Sequence, residues 1–308
     1  MSTNIEVAAL RYFVHVAAAN SFVRGAERAH VSPPAVSKAI RKLEEALGVR
    51  LFERTTRRVL LTQAGHVALE RCRRVLAELD GLEAGLAAST AHPMGPLRIA
   101  AMEVFSIELL PVALAELVSA HPDVVPRCYE MIPQRMNDRL LAGELDIAFT
   151  IGAAPAAGIE SHALGVSRGV LVCGRRHPLF GRGRVSPRDL ERHASVVPRF
   201  FGAEHLPSLD QFPERRYSRR VGATIELLQM GIELAVAGRY LGYFPEISVR
   251  RHLKASRLRA LKGLVLGSPF ELHALSRVGV PLKPAASRLI DGLKTTISTK
   301  RSSSAPSA

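Results

Sequence analysis

The run Ser32-Pro33-Pro34-Ala35-Val36-Ser37-Lys38 constrains this chain more tightly than any other. Two successive prolines do not fit the interior of a helix or a sheet, because each lacks a backbone donor and has a fixed φ. The first turn of a helix tolerates them best, since its amides have no intrahelical partner anyway. Ser32 is therefore read as the cap of a helix that starts at the prolines, with Pro33 left extended or barely helical by the proline behind it. Gly48 ends the helix.

Counting about 100° per residue, Val36, Ile40, Leu43 and Leu47 share one face, and Pro34, Lys38, Arg41 and Glu45 lie opposite. Cations near a helix N-terminus work against the helix dipole, so their presence there points to a partner outside the fold. A helix that enters a DNA major groove by its N-terminal half has this arrangement. The plainer alternative is a solvated face on an ordinary three-helix core. Two helices precede it. Leu10, Phe13, Val14 and Ala17 mark the first, Asn20-Ser21 interrupts and offers a cap, and Phe22, Ala26 and Ala29 mark the second. After Gly48, Val49, Leu51 and Phe52, then Val59, Leu60 and Leu61, flank the basic turn Arg54 to Arg58, as in a two-stranded wing. Such a tip reaches phosphates or the adjacent minor groove.

From Thr62 to Ala88, Leu61, Gly65, Ala68, Cys72, Val75, Leu79, Leu82 and Leu86 recur at steps of four and three, with charged residues between them. That is a coiled-coil seam, whose obvious partner is a second copy of the chain, although packing on its own domain is the alternative. Pro93, Gly95 and Pro96 then mark a hinge. Beyond it the pattern alternates. Strands are expected at Leu97–Ala101, Val124–Met131, Asp146–Ile151, Gly169–Cys173, Ser195–Val197, Leu241–Phe244 and Phe270–Ser276. Helices are expected at Ile107–Ala120, Asp138–Gly143, Pro187–His193, Ile225–Ala237 and Pro284–Ser298. This rhythm implies parallel βαβ units.

The charge fits a phosphate-bearing partner: the 308 residues carry a net +14. Residues 1 to 60 hold ten Lys or Arg against five Asp or Glu, so most of the excess lies in the larger half. Cys72, Cys128 and Cys173 form no C-x-x-C pair and are read as reduced thiols, the last two buried in strands and inert. No signal-like start and no apolar run near the roughly 20 residues of a membrane span are present, so a cytoplasmic protein with no membrane partner is expected. The stretch Ser298 to Ala308 reads as a disordered tail.

At this point a resemblance carries the reading further. Arg24-Gly-Ala-Glu-Arg-Ala-His-Val-Ser-Pro-Pro-Ala-Val-Ser37, followed by "IRKLEEALGVRLFER", resembles the winged helix-turn-helix of LysR-type transcriptional regulators. "LLPVALAELVSAHPDV", "LLAGELDIAF", "HPLFGRGRVSPRDL" and "AGRYLGYFP" are similar, in that order, to the family's effector-binding region. The resemblance implies a multidomain chain: an all-α winged head (1–62), a linker helix (63–90) that makes a homodimer or homotetramer, and an α/β effector-binding domain (91–298). That domain is expected as two Rossmann-like lobes arranged as in periplasmic solute-binding proteins, lobe I at about 95–164 and 268–298 and lobe II at about 165–267. The partners it implies are double-stranded DNA with an interrupted palindrome, a small-molecule effector, and RNA polymerase as a further candidate.

By the same resemblance Ser32, Pro33, Pro34, Ser37, Lys38 and Arg41 stand where the recognition helix meets DNA, and Arg54 and Arg57 where the wing does. Pro33 departs from the family's usual Gln, replacing polar readout with helix placement and apolar contact. Pairing falls to Ala68, Cys72, Val75, Leu79, Leu82 and Leu86. Ligands of open α/β sheets settle at the carboxyl ends of strands, which selects Met102, Glu103, Ser106, Gln134, Thr150, Arg199, Phe200 and Thr224. Ser106 is expected to cap a helix whose amides face a carboxylate. Met102-Glu103 stands where relatives often have Ser or Thr, so Glu103 is expected to meet a cationic group or to pair with Arg199, and for any one of these positions a plain structural role is the favoured alternative. Gly165-Val-Ser-Arg-Gly169 matches the nucleophile-elbow pattern, but the expected strand follows it, so Ser167 is read as a hinge residue. The histidines show no metal-ligand spacing, and no enzyme activity, cofactor or metal is expected. A hydrolytic or small-molecule-binding α/β protein with a helical accessory domain is the rival.

Overall fold

The computed structural model describes residues 5–54, 59–88, 93–152, 155–199 and 210–302. The chain divides into two compact units, Met1–Pro93 with Gln134–Asp146 and Arg277–Pro284, and Met94–Pro133 with Ile147–Ser276 and Ala285–Ala308.

The head of the first unit begins with α1 (Val7–Ala19), α2 (Phe22–Ala29) and α3 (Pro33–Leu47). Asn20 and His30 take left-handed conformations that stop α1 and α2, and Ser21 Oγ accepts the Arg24 amide. A Cβ at Gly25 would lie 2.5 Å from Val16 Cγ2, so glycine is what lets α2 settle on α1. Phe13, Val16, Ala26, Val36, Ile40 and Leu51 are fully buried together. Burial of each large side chain contributes about 1.5–3 kcal/mol. β1 (Phe52–Arg54) and β2 (Val59–Leu61) pair antiparallel, Phe52 opposite Leu61, and Phe52 packs edge-on against Phe13 and Phe22. Buried Glu44 ties α3 to the wing by accepting the Leu51 and Phe52 amides at 2.8 and 3.3 Å.

Two local expectations are refined here. Both prolines lie inside α3, so of the two readings of Pro33, extended or barely helical, the helical one holds. Ser32 occupies the cap position without a side-chain bond, because the prolines remove the first two amides and the next, that of Ala35, is bound by Ser32's own carbonyl at 3.0 Å. The linker helix α4 (Gln63–Ala88) follows, with Thr62 Oγ1 accepting the Gly65 amide at 2.9 Å.

The second unit carries two five-stranded sheets. That of lobe I has the order β4-β3-β5-β12-β6, from β3 (Gly95–Ala101), β4 (Val124–Glu130), β5 (Ile147–Ile151), β6 (Ile159–Ser167) and β12 (Phe270–Arg277). That of lobe II has the order β11-β7-β10-β8-β9, from β7 (Gly169–Gly174), β8 (Ala194–Pro198), β9 (Arg220–Ile225), β10 (Leu241–Pro245) and β11 (Leu258–Ala260). β3 runs parallel to β4 and β5, and β8 parallel to β9 and β10, as βαβ units require. β7 and β12 enter antiparallel, because the chain crosses between lobes at each of them.

The helix expected over Ile107–Ala120 is split into α5 (Glu103–Glu108) and α6 (Leu110–Ala120), since Pro111 has no amide to continue the ladder. β6, β9, β11 and α10 (Glu246–Lys254) were not expected, and α7 (Pro133–Leu141) starts earlier than read. α8 (Pro187–Arg192) and α9 (Leu228–Val236) fall where helices were expected. α11 (Pro284–Ser302) continues to Ser302, inside the stretch read as a tail, of which 303–308 lie outside the described residues. Cys128 is exposed rather than buried, because β4 is an edge strand, while Cys173 is buried as read.

His177 follows β7 and is 4% exposed, its Nδ1 accepting the Leu179 amide at 3.2 Å. Burial, then the neighbouring His193, holds its pKa down at about 4 from 6.5. The unfolded chain takes up a proton here between those values and the folded chain does not, so stability falls with pH through this window. Thermal unfolding followed from pH 7 to pH 4 is expected to show that loss, and His177→Gln to flatten it.

Candidate DNA-reading face and effector cleft

α3 presents the flank that its sequence pattern assigned. Ser32, Pro33, Pro34, Lys38 and Arg41 are exposed and Ser37 is half-buried, while Val36, Ile40 and Leu43 hold the other flank in the core. Among the described residues Lys38 and Arg41 meet no carboxylate; Lys42, one residue on, lies 3.8 Å from Glu6. Arg54 is the last residue of β1, its side chain outside the described residues, as is the whole of Arg57.

Along α4 the seam divides. Cys72 joins the head's own core and Ala68 packs against it, whereas Val75 and Leu82 are 47% and 61% exposed. Leu79 is half-buried and the side chain of Leu86 lies outside the described residues. Between the start of α1, the end of α3 and α4 runs an apolar groove of about 830 Å³, with Val7, Leu47, Val49, Val67 and Val75 on its walls. Leu47, expected in the core, is 39% exposed because it faces this groove.

In the second unit the carboxyl ends of β3, β5, β8 and β9 bring Met102, Thr150, Arg199 and Thr224 to one end of their sheets. Glu103 crosses from lobe I to lobe II and accepts the Leu228 and Gln229 amides, the latter at 2.8 Å. Those are the first amides of α9, where a carboxylate is favoured by both hydrogen bonding and the dipole. Among the described residues Glu103 is bound to α9 rather than to Arg199, which lies 3.8 Å from Glu214. The same charge helps raise the pKa of Glu130, after burial. Met102 turns its sulfur toward Thr150 Oγ1 and the Ile151 amide, at 3.4 and 3.5 Å, so a thioether occupies the end of β5. Met102, not Ser106, is the α5 cap residue, and Ser106 sits within that helix. Thr224 is exposed, Gln134 is exposed in the first unit, and Phe200 lies outside the described residues.

Sequence reasoning missed a buried polar group beside this end. Arg219, 3% exposed at its side chain, grips Asp210 with both terminal nitrogens and lies 4.3 Å above the Phe212 ring. Tyr243, buried between Phe212 and Phe270, has a hydroxyl with no hydrogen-bond partner among the described residues, and burial together with Asp210 pushes its pKa up to about 12. No motif marks these residues; the tyrosine stands in an apolar strand and the arginine in a charged loop.

At the lobe crossover Ser167 ends β6 and is followed by β7, with no helix to make an elbow. Its hydroxyl accepts the Ile247 amide at 3.2 Å. Beside it Arg168 holds Glu246 through two bonds of 2.6 and 2.7 Å.

A winged three-helix head with an exposed basic recognition helix, joined by a long helix to a two-lobed ligand-binding fold, defines a DNA-binding regulator. Residues 7–66 match the "Bacterial regulatory helix-turn-helix protein, lysR family" and residues 90–298 the "LysR substrate binding domain", so the chain belongs to the LysR family of transcriptional regulators. It is 31% identical over 290 residues, 90% of this chain and 92% of the relative, to the SDS degradation transcriptional activation protein of a Pseudomonas species. Its fold is similar to full-length OxyR of Pseudomonas aeruginosa, TM-score 0.75 at 22% identity, over 94% of this chain and 95% of that one. CbnR in complex with its target DNA gives 0.62 at 23%, over 94% and 99%.

The bond between lobes yields a direct expectation. Glu103→Ala removes two charge-assisted hydrogen bonds, each contributing about 1.5–3 kcal/mol at most. Hydrogen exchange at the Leu228 and Gln229 amides is expected to quicken at least about tenfold, with lower thermal stability; unchanged exchange would show that the lobes do not rely on it.

Proposed function

We propose that the chain regulates transcription as a homodimer, or a tetramer of two dimers, reading an interrupted palindrome through Pro33, Pro34, Ser37, Lys38 and Arg41. Ser32 flanks this face, and Arg54 and Arg57 serve it from the wing. The observation that carries this reading is that Lys38 and Arg41 stand exposed and unpaired among the described residues, on a helix whose other flank is locked in the core. Pro33 offers a base edge only apolar contact, so the preferred sequence differs from that of relatives with Gln there.

The occupant of the apolar groove on the head is α4 of a second copy. Val67 and Val75 are exposed beside it in the single chain, and Leu79, Leu82 and Leu86 continue the same seam. The working division remains a head (1–62), a pairing helix (63–90) and an effector-binding region (91–298). A small molecule seated at the carboxyl ends of the strands, near Met102, Thr150, Arg199 and Thr224, shifts the balance between two spacings of the heads. Its recognition differs from that of an anion on a free helix terminus, because α9's first amides are already taken by Glu103. Tyr243 supplies a donor or acceptor that no described residue uses. No catalytic step enters this reading: the Ser167 hydroxyl is engaged by backbone. The setting is the cytoplasm, where the DNA is; among the described residues no helix is long and apolar enough to cross a membrane.

The experiment is binding to a duplex from the region upstream of its own gene, at moderate salt and with excess random DNA. Ser37→Ala with Lys38→Ala is expected to weaken specific binding about 10- to 100-fold, at about 1–3 kcal/mol for a good base contact. Unchanged affinity and preference in that variant would remove α3 as the reading element.

A further inference from the structure

The effector cleft is at the carboxyl ends of the lobe II strands, yet a second polar cavity lies at their amino ends. Its volume is about 450 Å³, and the turn after β7, the starts of β8 and β9, and the turn from α9 into β10 form its walls. β8 has five residues, so at about 3.3 Å per residue the two ends are roughly 15 Å apart.

Arg220 opens β9, Arg239 closes the turn after α9, and both line the cavity with His177 and His193. Among the described residues neither arginine meets a carboxylate. Asp189, which feels the charge of His193, is committed to the capping box with Ser186 and lies 3.5 Å from Arg182. His177 is the more telling member. Its Nδ1 accepts the Leu179 amide, which fixes the proton of the neutral ring on Nε2, and no acceptor for that N–H is found among the described residues. The ring lines the cavity, so this N–H is a donor available to an acceptor there.

The walls are shaped by two glycines. Gly222 is the extra residue of a bulge in β9, between Val221 opposite Ser195 and Ala223 opposite Val196, and a Cβ there would lie 2.4 Å from Ala194 Cβ. Gly238 has φ +82°, and its Cβ would lie 2.7 Å from Arg176 Cβ. Bulges of this kind recur beside functional sites. Two guanidinium forks and a fixed N–H donor suit an oxyanion, which accepts bidentate bonds. The cavity has the volume of a small-molecule pocket rather than of a lone ion.

We propose that this cavity is a second ligand site, distinct from the effector cleft, that takes the phosphate or carboxylate group of a small metabolite between Arg220, Arg239 and the His177 Nε2–H. Tyr240 walls the space left for the rest of the molecule.

Calorimetry of the full chain with inorganic phosphate at pH 7.5, at ionic strength held constant with chloride, tests it. The wild type is expected to bind saturably. Arg220→Ala with Arg239→Ala is expected to weaken binding at least about tenfold. Arg127→Ala with Arg288→Ala, which removes the same charge elsewhere on the unit, is expected to leave it unchanged. Circular dichroism establishes that each variant is folded, and if the pocket pair is not, Arg239→Lys, which keeps the charge and loses the fork, takes its place with the same expectation of weakening. Equal phosphate affinity in the pocket and control variants, or no saturable binding by the wild type, overturns the proposal. So does competition by a random duplex, which would make the cavity a contact for DNA phosphate. Promoter binding by the pocket variant within about twofold of wild type keeps this site separate from DNA reading.

Discussion

The head is organised around one constraint, the division of α3 into a flank that must be buried and a flank that cannot be. Val36 and Ile40 are fully buried, and with Phe13, Val16 and Leu51 they form a core too small to lose any one of them cheaply. The prolines make the helix start at one residue and no other, so the phase of both flanks is set from its first turn. Glu44 then fixes the wing to the same helix by binding two of its amides. The cationic flank is thereby held rigid without being touched by the interior, which is the condition for presenting side chains to a groove.

The larger half rests on a related economy. Glu103 from lobe I caps α9 of lobe II, so its carboxylate holds the lobes in contact. At the crossover Arg168 holds Glu246 within lobe II, at the point where the chain enters it. The effector proposed for the carboxyl ends of the strands would act on a joint already held by Glu103, and it must prefer one geometry of that joint to shift anything. The cavity at the opposite ends of β8 and β9 would bear on the same strands from behind.

Much of the fold was legible because the head is punctuated locally. Asn20, Ser21, the prolines and Gly48 sit at element ends, and the spacing of Val36, Ile40 and Leu43 is helical. What was missed depends on contacts distant in sequence. β6 carries Glu160, Ser161 and His162 without strict alternation, and β9 is an edge strand interrupted by the bulge at Gly222, so neither reads as a strand by pattern. Pro111 declares the break between α5 and α6, although the apolar spacing runs on through it. Glu103 stands out in the sequence by its position after β3, but its partner lies 125 residues away and no spacing rule reaches it. Cys128 was placed in a strand correctly and buried wrongly, because a sequence does not say which strand is the edge.

The most direct measurement is a structure of the full chain on a duplex carrying the segment it protects upstream of its own gene. The account predicts the N-terminal half of α3 in the major groove, with Pro34 and Lys38 at base edges and Arg41 on the backbone. Lys38 and Arg41 covered by protein surface, with α3 away from the duplex, would contradict it.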